Sequence, residues 1–219
     1  MPLADQRPPP APPRPAAARF PVLALVVVLL LLAAVGAGVV QLLRPHLAFT
    51  NRLAAPVRLV VGDGAPRMVA PGATARVAVP RGKTLVMQWE LVRPLSADDR
   101  PMGEEVRGSA VLREPTGTVR QAAVSRAPEA AFFAPLITNA SSHPPRVMVN
   151  AGLRGAVDCG CMVRAGARRV FIGYYRLYLN STARAFVPGA GAAIFRDLGP
   201  RVSAPDGTVG LRFEDKDLR

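Results

Sequence analysis

The chain has 219 residues, enough for one or two domains with a sizeable core. Half of the residues are hydrophobic, but much of this excess lies between Phe20 and Leu43, so the remainder has an ordinary soluble composition. The net charge is +13; the part after residue 43 holds 25 of the 28 basic and 14 of the 15 acidic residues, which leaves it at +11. Two cysteines and two histidines at unsuited spacing exclude a four-ligand structural zinc site.

Residues 1–19 form a proline-rich segment that carries three arginines against one aspartate. Proline cannot occupy a helix interior, and such a composition cannot build a core. The sequence therefore predicts a disordered or polyproline II tail, which we place in the cytoplasm.

Residues 20–43 contain no charge over 24 positions. About 20 apolar residues at 1.5 Å rise span a bilayer core, so this segment is predicted to be a single transmembrane helix with the lipid bilayer as its partner. A short basic tail before a long apolar run is typical of a signal anchor, which places the N-terminus in the cytoplasm and the C-terminal domain outside the cell membrane. The alternative is a cleaved signal peptide with Val35-Gly36-Ala37 at the cleavage site, although this run exceeds the usual 7 to 15 residues.

Residues 44–212 consist of short β-prone runs separated by Gly and Pro turns at intervals of about ten residues. Leu59-Val60-Val61 and the segment from Leu85 to Leu91 are examples. This pattern predicts a mainly β, sandwich-like domain. Residues 213–219 are charged and are predicted to be a frayed tail.

A weak internal repeat runs through this domain. Phe49-Thr50-Asn51 matches Ile137-Thr138-Asn139, and the later turn Pro71-Gly72-Ala73 matches Ala165-Gly166-Ala167. We interpret the repeat as two related β-units in tandem, spanning about 49–92 and 137–187.

The first unit combines a proline, a Val-rich strand, the turn Gly62-Asp63-Gly64 and a later Val-x-Pro-Gly turn. Over about 40 residues it resembles the small β-sandwich modules of bacterial surface proteins. The resemblance implies an envelope-facing structural or binding module. Between the units, Ser109–Leu112 and Thr118–Gln121 flank Pro115-Thr116-Gly117, which predicts a short hairpin.

Cys159 and Cys161 are the only cysteines, and they lie in Asp158-Cys159-Gly160-Cys161-Met162. Three interpretations remain open at this point. The pair forms a structural disulfide or two half-buried thiols, or it forms a strained, reducible bridge with a redox role. In the third interpretation the two thiolates hold a soft metal such as Cu(I).

Residues 171–180 (FIGYYRLYLN) form the strongest strand candidate in the chain. Period two places Tyr175 and Leu179 on a core face, and Tyr174, Arg176 and Tyr178 on the other face. The second face is a candidate ligand-binding platform that would stack tyrosine rings on a sugar, and the alternative is a strand buried on both sides.

The chain contains no pattern typical of an active site: no Gly-x-Ser-x-Gly motif, no complete dinucleotide loop and no paired-carboxylate arrangement. We therefore expect a non-enzymatic envelope protein with no metal or cofactor, whose partner is an anionic envelope component or another membrane protein. Nucleic acid is not expected as a partner. The alternatives are a redox or metal-handling accessory that uses Cys159 and Cys161, and an accessory subunit of a membrane complex.

Overall fold

A computed structural model of the chain describes residues 20–42, 44–126, 130–153, 156–202 and 206–218. Within the helix at 20–42, side chains are described for residues 24–36. The predicted proline-rich tail at 1–19 lies outside the described residues. The chain divides into two units, Met1–Leu43 and Arg44–Arg219.

The first unit contains one α-helix, α1 (Phe20–Leu42). The only proline in α1 is Pro21, in the first turn, where the backbone N–H has no partner within the helix. No helix that is both long enough and apolar enough to cross a bilayer is found among the residues that the structure describes. The transmembrane helix at 20–43 stays a prediction.

The second unit is built from strands and confirms the mainly β class, with several sheets consistent with a β-sandwich-like fold. Two short 3-10 helices, Gly199–Arg201 and Asp215–Asp217, lie near its C-terminal end. The strands are β1 (His46–Asn51), β2 (Val57–Val61), β3 (Arg67–Val69), β4 (Thr74–Ala78), β5 (Leu85–Leu91), β6 (Arg107–Leu112), β7 (Thr118–Ala123), β8 (Phe132–Asn139), β9 (Arg146–Val149), β10 (Val157–Met162), β11 (Val170–Phe171), β12 (Tyr175–Arg176), β13 (Ala183–Val187), β14 (Gly191–Phe195) and β15 (Thr208–Phe213).

Strands β1 to β7 form two facing sheets, ordered β4-β1-β7 and β3-β2-β5-β6. The central strand β1 pairs antiparallel with β4 and parallel with β7. Alternate residues of both sheets meet in one core cluster, in which Phe49, Leu59 and Trp89 are buried. The opposite residues of β1 and β4 face outward, as period two requires.

Strands β8 to β15 repeat this scheme. The central strand β8 pairs antiparallel with β11 and β12 and parallel with β15, and the facing sheet has the order β10-β9-β13-β14. A second core cluster, which includes Phe133, Val147 and Phe213, lies between these sheets. The division into tandem units at 49–92 and 137–187 stays a prediction, but the strand pairing has the same arrangement in both halves.

The asparagines that end the repeated motif, Asn51 and Asn139, are both buried and make equivalent hydrogen bonds. The amide nitrogen of Asn51, at the end of β1, donates to the carbonyls of Ala55 and Val69, each at 2.9 Å, and its side-chain oxygen accepts from the Leu53 N–H. Asn139, at the end of β8, makes the equivalent bonds: its amide nitrogen donates to the carbonyls of His143 at 2.8 Å and Val163 at 2.9 Å, and its side-chain oxygen accepts from the Ser141 N–H. Each side chain thus closes the turn that follows its strand.

Each half of the β domain contributes one residue to the core of the other half. Tyr174, from the second half, is fully buried in the first core, and Met102, from the loop between β5 and β6, is buried in the second core. The Glu104 N–H donates to the Tyr174 carbonyl at 2.7 Å. Gly103 and Gly173 lie against each other, since a Cβ atom on either would come within 2.8 Å of backbone atoms.

Three local predictions differ from the structure. Strands β6 and β7 belong to different sheets and form no hairpin, because β7 pairs in parallel with β1 instead. The strand predicted at 171–180 is broken into β11 and β12 around Gly173, whose φ of +106° cannot continue a strand. Residues 213–218, predicted to fray, end β15 and form a 3-10 turn, with Leu218 buried against the second core.

Candidate functional site

The outer face of the sheet β4-β1-β7 forms a groove of about 670 Å³. Its floor is the outward side of β1, where Ala48 lies between the two flanking strands. Ala48 is the register partner of Arg76 on β4 and of Arg120 on β7. Strands lie about 4.8 Å apart, so the Cα atoms of the two arginines are about 10 Å apart across the alanine.

The groove is lined mainly by cationic and hydroxyl side chains. Both Arg76 and Arg120 are exposed, and Arg52 follows at the end of β1. The rim is ordered by two side-chain hydrogen bonds, one between Thr50 and Thr74 at 2.9 Å and one between Thr118 and His46 at 3.1 Å. The lining residues are His46, Ala48, Thr50, Arg52, Thr74, Arg76, Thr118, Arg120, Gln121 and Ala122.

No carboxylate lines this groove, and none of its three arginines forms an ion pair with any residue that the structure describes. Unneutralised like charges repel one another and cost stability unless an anion compensates them. We refer to Arg52, Arg76, Arg120 and the floor residue Ala48 as the cationic groove.

A second groove, beside β6, differs from the cationic groove because its charges are balanced. It measures about 720 Å³ and includes the indole of Trp89. Its arginines are paired with carboxylates on the same surface: Arg58 with Glu90 at 4.0 Å, and Arg107 with Glu105 at 3.1 Å. This surface neutralises its own charge, so the cationic groove is the stronger candidate for an anion site.

Cys159 and Cys161 form a disulfide on the inner face of β10. Two residues of an extended strand span about 6.6 Å, whereas these Cα atoms are 5.1 Å apart. Gly160 provides the shortening: its φ of +63° interrupts the strand, and the pairing with β9 shifts register at this point. The thiolate-metal interpretation does not fit this bonded pair, and no cluster of metal-ligating side chains occurs within the described ranges.

Both sulfurs of the disulfide are directed into the second core, where Cys159 is 5% and Cys161 is 7% exposed. A buried bridge offers an external thiolate little access, and exchange requires attack on a sulfur. The burial favours the structural interpretation over the redox one.

Removing the bridge is expected to have a modest effect on stability. The loop that it closes is very short, and the chain-entropy relation gives about 1.5 kcal/mol for such a ring. The double substitution Cys159→Ala, Cys161→Ala should therefore lower the free energy of unfolding by about 1.5 to 3 kcal/mol in urea denaturation, once the lost side-chain volume is included. An unchanged midpoint, together with alkylation of both thiols in the unreduced wild-type protein, would show that the bond does not form.

The structure does not bring Tyr174, Arg176 and Tyr178 together as one exposed platform. Tyr174 is fully buried in the first core, whereas its neighbour Tyr175 is fully buried in the second. Arg176 is exposed and Tyr178 is half-buried. The burial of Tyr174 agrees with the alternative of a strand buried on both sides, whereas Leu179, assigned to the core face, is 89% exposed.

Tyr174 has a structural role at the junction of the halves. Its hydroxyl accepts a hydrogen bond from the Ala54 N–H at 2.8 Å and donates to the carbonyl of Asp206. Burial raises the pKa of the Tyr174 phenol to about 12. Burial also raises the pKa of Tyr175, whose hydroxyl donates to the Ile172 carbonyl at 2.8 Å.

This raised pKa predicts alkaline destabilisation. The folded state holds the Tyr174 proton more tightly than the unfolded state, so the stability contribution is complete below pH 10 and is lost as pH rises towards 12. The loss should reach about 2 to 3 kcal/mol. Urea unfolding between pH 8 and pH 11.5 should show a steeper decline for the wild type than for Tyr174→Phe. Parallel curves for the two proteins would contradict this assignment.

Comparison with protein-family models gave no match to this chain, and comparison with curated proteins gave none either. The fold and the groove therefore define the class by themselves: a β-sandwich-like protein with a cationic sheet face.

None of the arginines in the cationic groove stands out in the amino-acid sequence. Alternation within Thr74–Ala78 and Thr118–Ala123 could have placed Arg76 and Arg120 on outward faces. Their convergence on Ala48 depends on the parallel pairing of β1 with β7, a long-range contact that no local pattern shows.

Proposed function

We propose that this protein is a membrane-anchored envelope protein, held by one helix at residues 20–43, whose β domain is a non-enzymatic module that binds an anionic envelope component. The N-terminal tail lies in the cytoplasm and the β domain outside the membrane. The observation that carries the binding role is the cationic groove, where Arg76 and Arg120 flank Ala48 with no carboxylate beside them.

Charge supports this assignment on two scales. The part of the chain after residue 43 has a net charge of +11, which attracts anions over a long range. The groove concentrates three arginines on one sheet face, and a guanidinium presents a fixed fork of donors that fits carboxylate and phosphoryl oxygens. Long-range attraction and local recognition thus favour the same kind of partner.

Retention on anionic matrices tests the binding role. The full chain in non-ionic detergent is applied to one carboxylate-bearing and one phosphate-bearing matrix and eluted with salt. The double variant Arg76→Gln, Arg120→Gln is expected to elute at clearly lower salt than the wild type, because two charge-assisted contacts are lost. The matched control is Arg113→Gln, Arg164→Gln, which removes the same charge from exposed arginines outside the groove.

The control separates a site from a general charge effect. If both double variants shift equally on both matrices, net charge alone governs retention and the groove is not the binding site. A larger shift for the groove variant on either matrix supports the proposal.

A further inference from the structure

We infer that the cationic groove binds phosphoryl groups, and that their source is the headgroup layer of anionic phospholipids. This inference rests on the proposed function, because it names the anion for the same groove and takes the helix at 20–43 as the membrane anchor.

The spacing of the two arginines fits one tetrahedral anion. Their Cα atoms lie about 10 Å apart on the strands that flank β1. Each guanidinium can reach inward over Ala48, whose single methyl group leaves the space above the floor open. Guanidinium groups bind phosphoryl oxygens through paired N–H donors, so two arginines on opposite sides of the anion engage different oxygen atoms.

The two arginines, and not the hydroxyls at the rim, form the anion site. Thr74 and Thr118 lie two residues from Arg76 and Arg120, respectively, but at opposite ends of the groove, and their hydroxyls are hydrogen-bonded to Thr50 and His46. A phosphodiester shares one negative charge between two non-bridging oxygens, which are the acceptors that the guanidinium groups bind. A carboxylate also presents two acceptor oxygens, so a phosphoryl group is favoured by its proximity to the tethered domain rather than by the shape of the groove.

The chain connection favours lipid as the source. Only three residues separate Leu42, the last helical residue, from His46, the first residue of β1. A domain tethered to a bilayer by so short a linker meets headgroups at high effective concentration. Each arginine near an anionic surface gains a modest electrostatic attraction, so several weak contacts suffice for binding.

Hydrogen exchange of the full chain tests the inference. The protein is placed in non-ionic detergent micelles doped with phosphatidylglycerol, in micelles doped equally with phosphatidylcholine, and in the latter with added inorganic phosphate. Amides of β1, β4 and β7 should exchange about tenfold more slowly in phosphatidylglycerol alone. This protection should be lost in Arg76→Gln, Arg120→Gln and kept in Arg113→Gln, Arg164→Gln.

Each of the other outcomes contradicts one part of the inference. Equal protection by inorganic phosphate makes the groove a site for free phosphate rather than lipid. No protection in any arm, or protection that survives in the groove variant, removes the groove as a phosphoryl site. Neither result alters retention on the carboxylate matrix or the membrane anchor, so a failure of the proposed function is recognised separately.

Discussion

Replacing Asn51 or Asn139 with alanine is expected to destabilise the β domain by about 3 to 5 kcal/mol. Each side chain is at most 1% exposed and makes three hydrogen bonds with backbone groups. Alanine would remove these bonds from two carbonyls and one N–H, and a buried group left unsatisfied costs about 1 to 3 kcal/mol. A substantial share of the stability of a typical domain would be lost at either position.

Urea denaturation followed by far-UV circular dichroism measures this effect. The control is Asn180→Ala, at an exposed turn, where a change within about 0.5 kcal/mol is expected. Because Asn51 and Asn139 close equivalent turns in the two halves, the two variants should lose similar amounts of stability. A loss below about 1 kcal/mol in both would show that water or neighbouring groups replace the bonds.

Alanine at Gly173 is the second substitution with a large expected effect. The residue has a φ of +106°, a conformation that L side chains rarely adopt. A Cβ atom there would also lie 2.8 Å from the Gly103 Cα and the Met102 carbonyl oxygen, and backbone atoms cannot move aside cheaply. Strain of about 1 to 3 kcal/mol and the steric clash together should cost about 3 to 5 kcal/mol.

The substitution should act on the junction between the halves, because Gly173 precedes the buried Tyr174. We expect Gly173→Ala to lower the midpoint of thermal unfolding by more than 10 °C, at a few degrees per kcal/mol. The control is Gly117→Ala, where no atom lies within 4 Å of the added Cβ and φ is not positive. That variant should match the wild type or exceed it slightly. Equal midpoints for the two variants would refute the close approach of Gly103 and Gly173.

Local patterns were sufficient for the fold class. Runs of Val and Leu between Gly and Pro turns predicted strands, and the repeat at Asn51 and Asn139 marked two turns with the same hydrogen bonds. Such local patterns could not predict which strands pair with each other. Strand β7 follows β6 closely in sequence, yet it pairs in parallel with β1, about 70 residues earlier, which is a long-range contact.

The same contrast between local patterns and long-range contacts holds for the candidate site. The Cys-Gly-Cys spacing indicated a disulfide among its alternatives, but the inward direction of the sulfurs depends on the bulge at Gly160. Period two correctly placed Tyr174 and Tyr175 on opposite faces, but no local pattern showed that the two rings enter different cores. The cationic groove requires three strands from distant segments, so neither Arg76 nor Arg120 stood out among the arginines of the chain.

The most direct test of the proposed function is the side of the membrane on which the cationic groove lies. Alkaline phosphatase and a fluorescent protein are fused separately after Arg219, and the membranes are washed with alkaline carbonate. The proposal predicts active phosphatase, no fluorescence and a fusion that stays in the carbonate-washed membranes. Fluorescence without phosphatase activity, or release of the fusion by carbonate, would contradict a membrane-anchored domain outside the cell membrane.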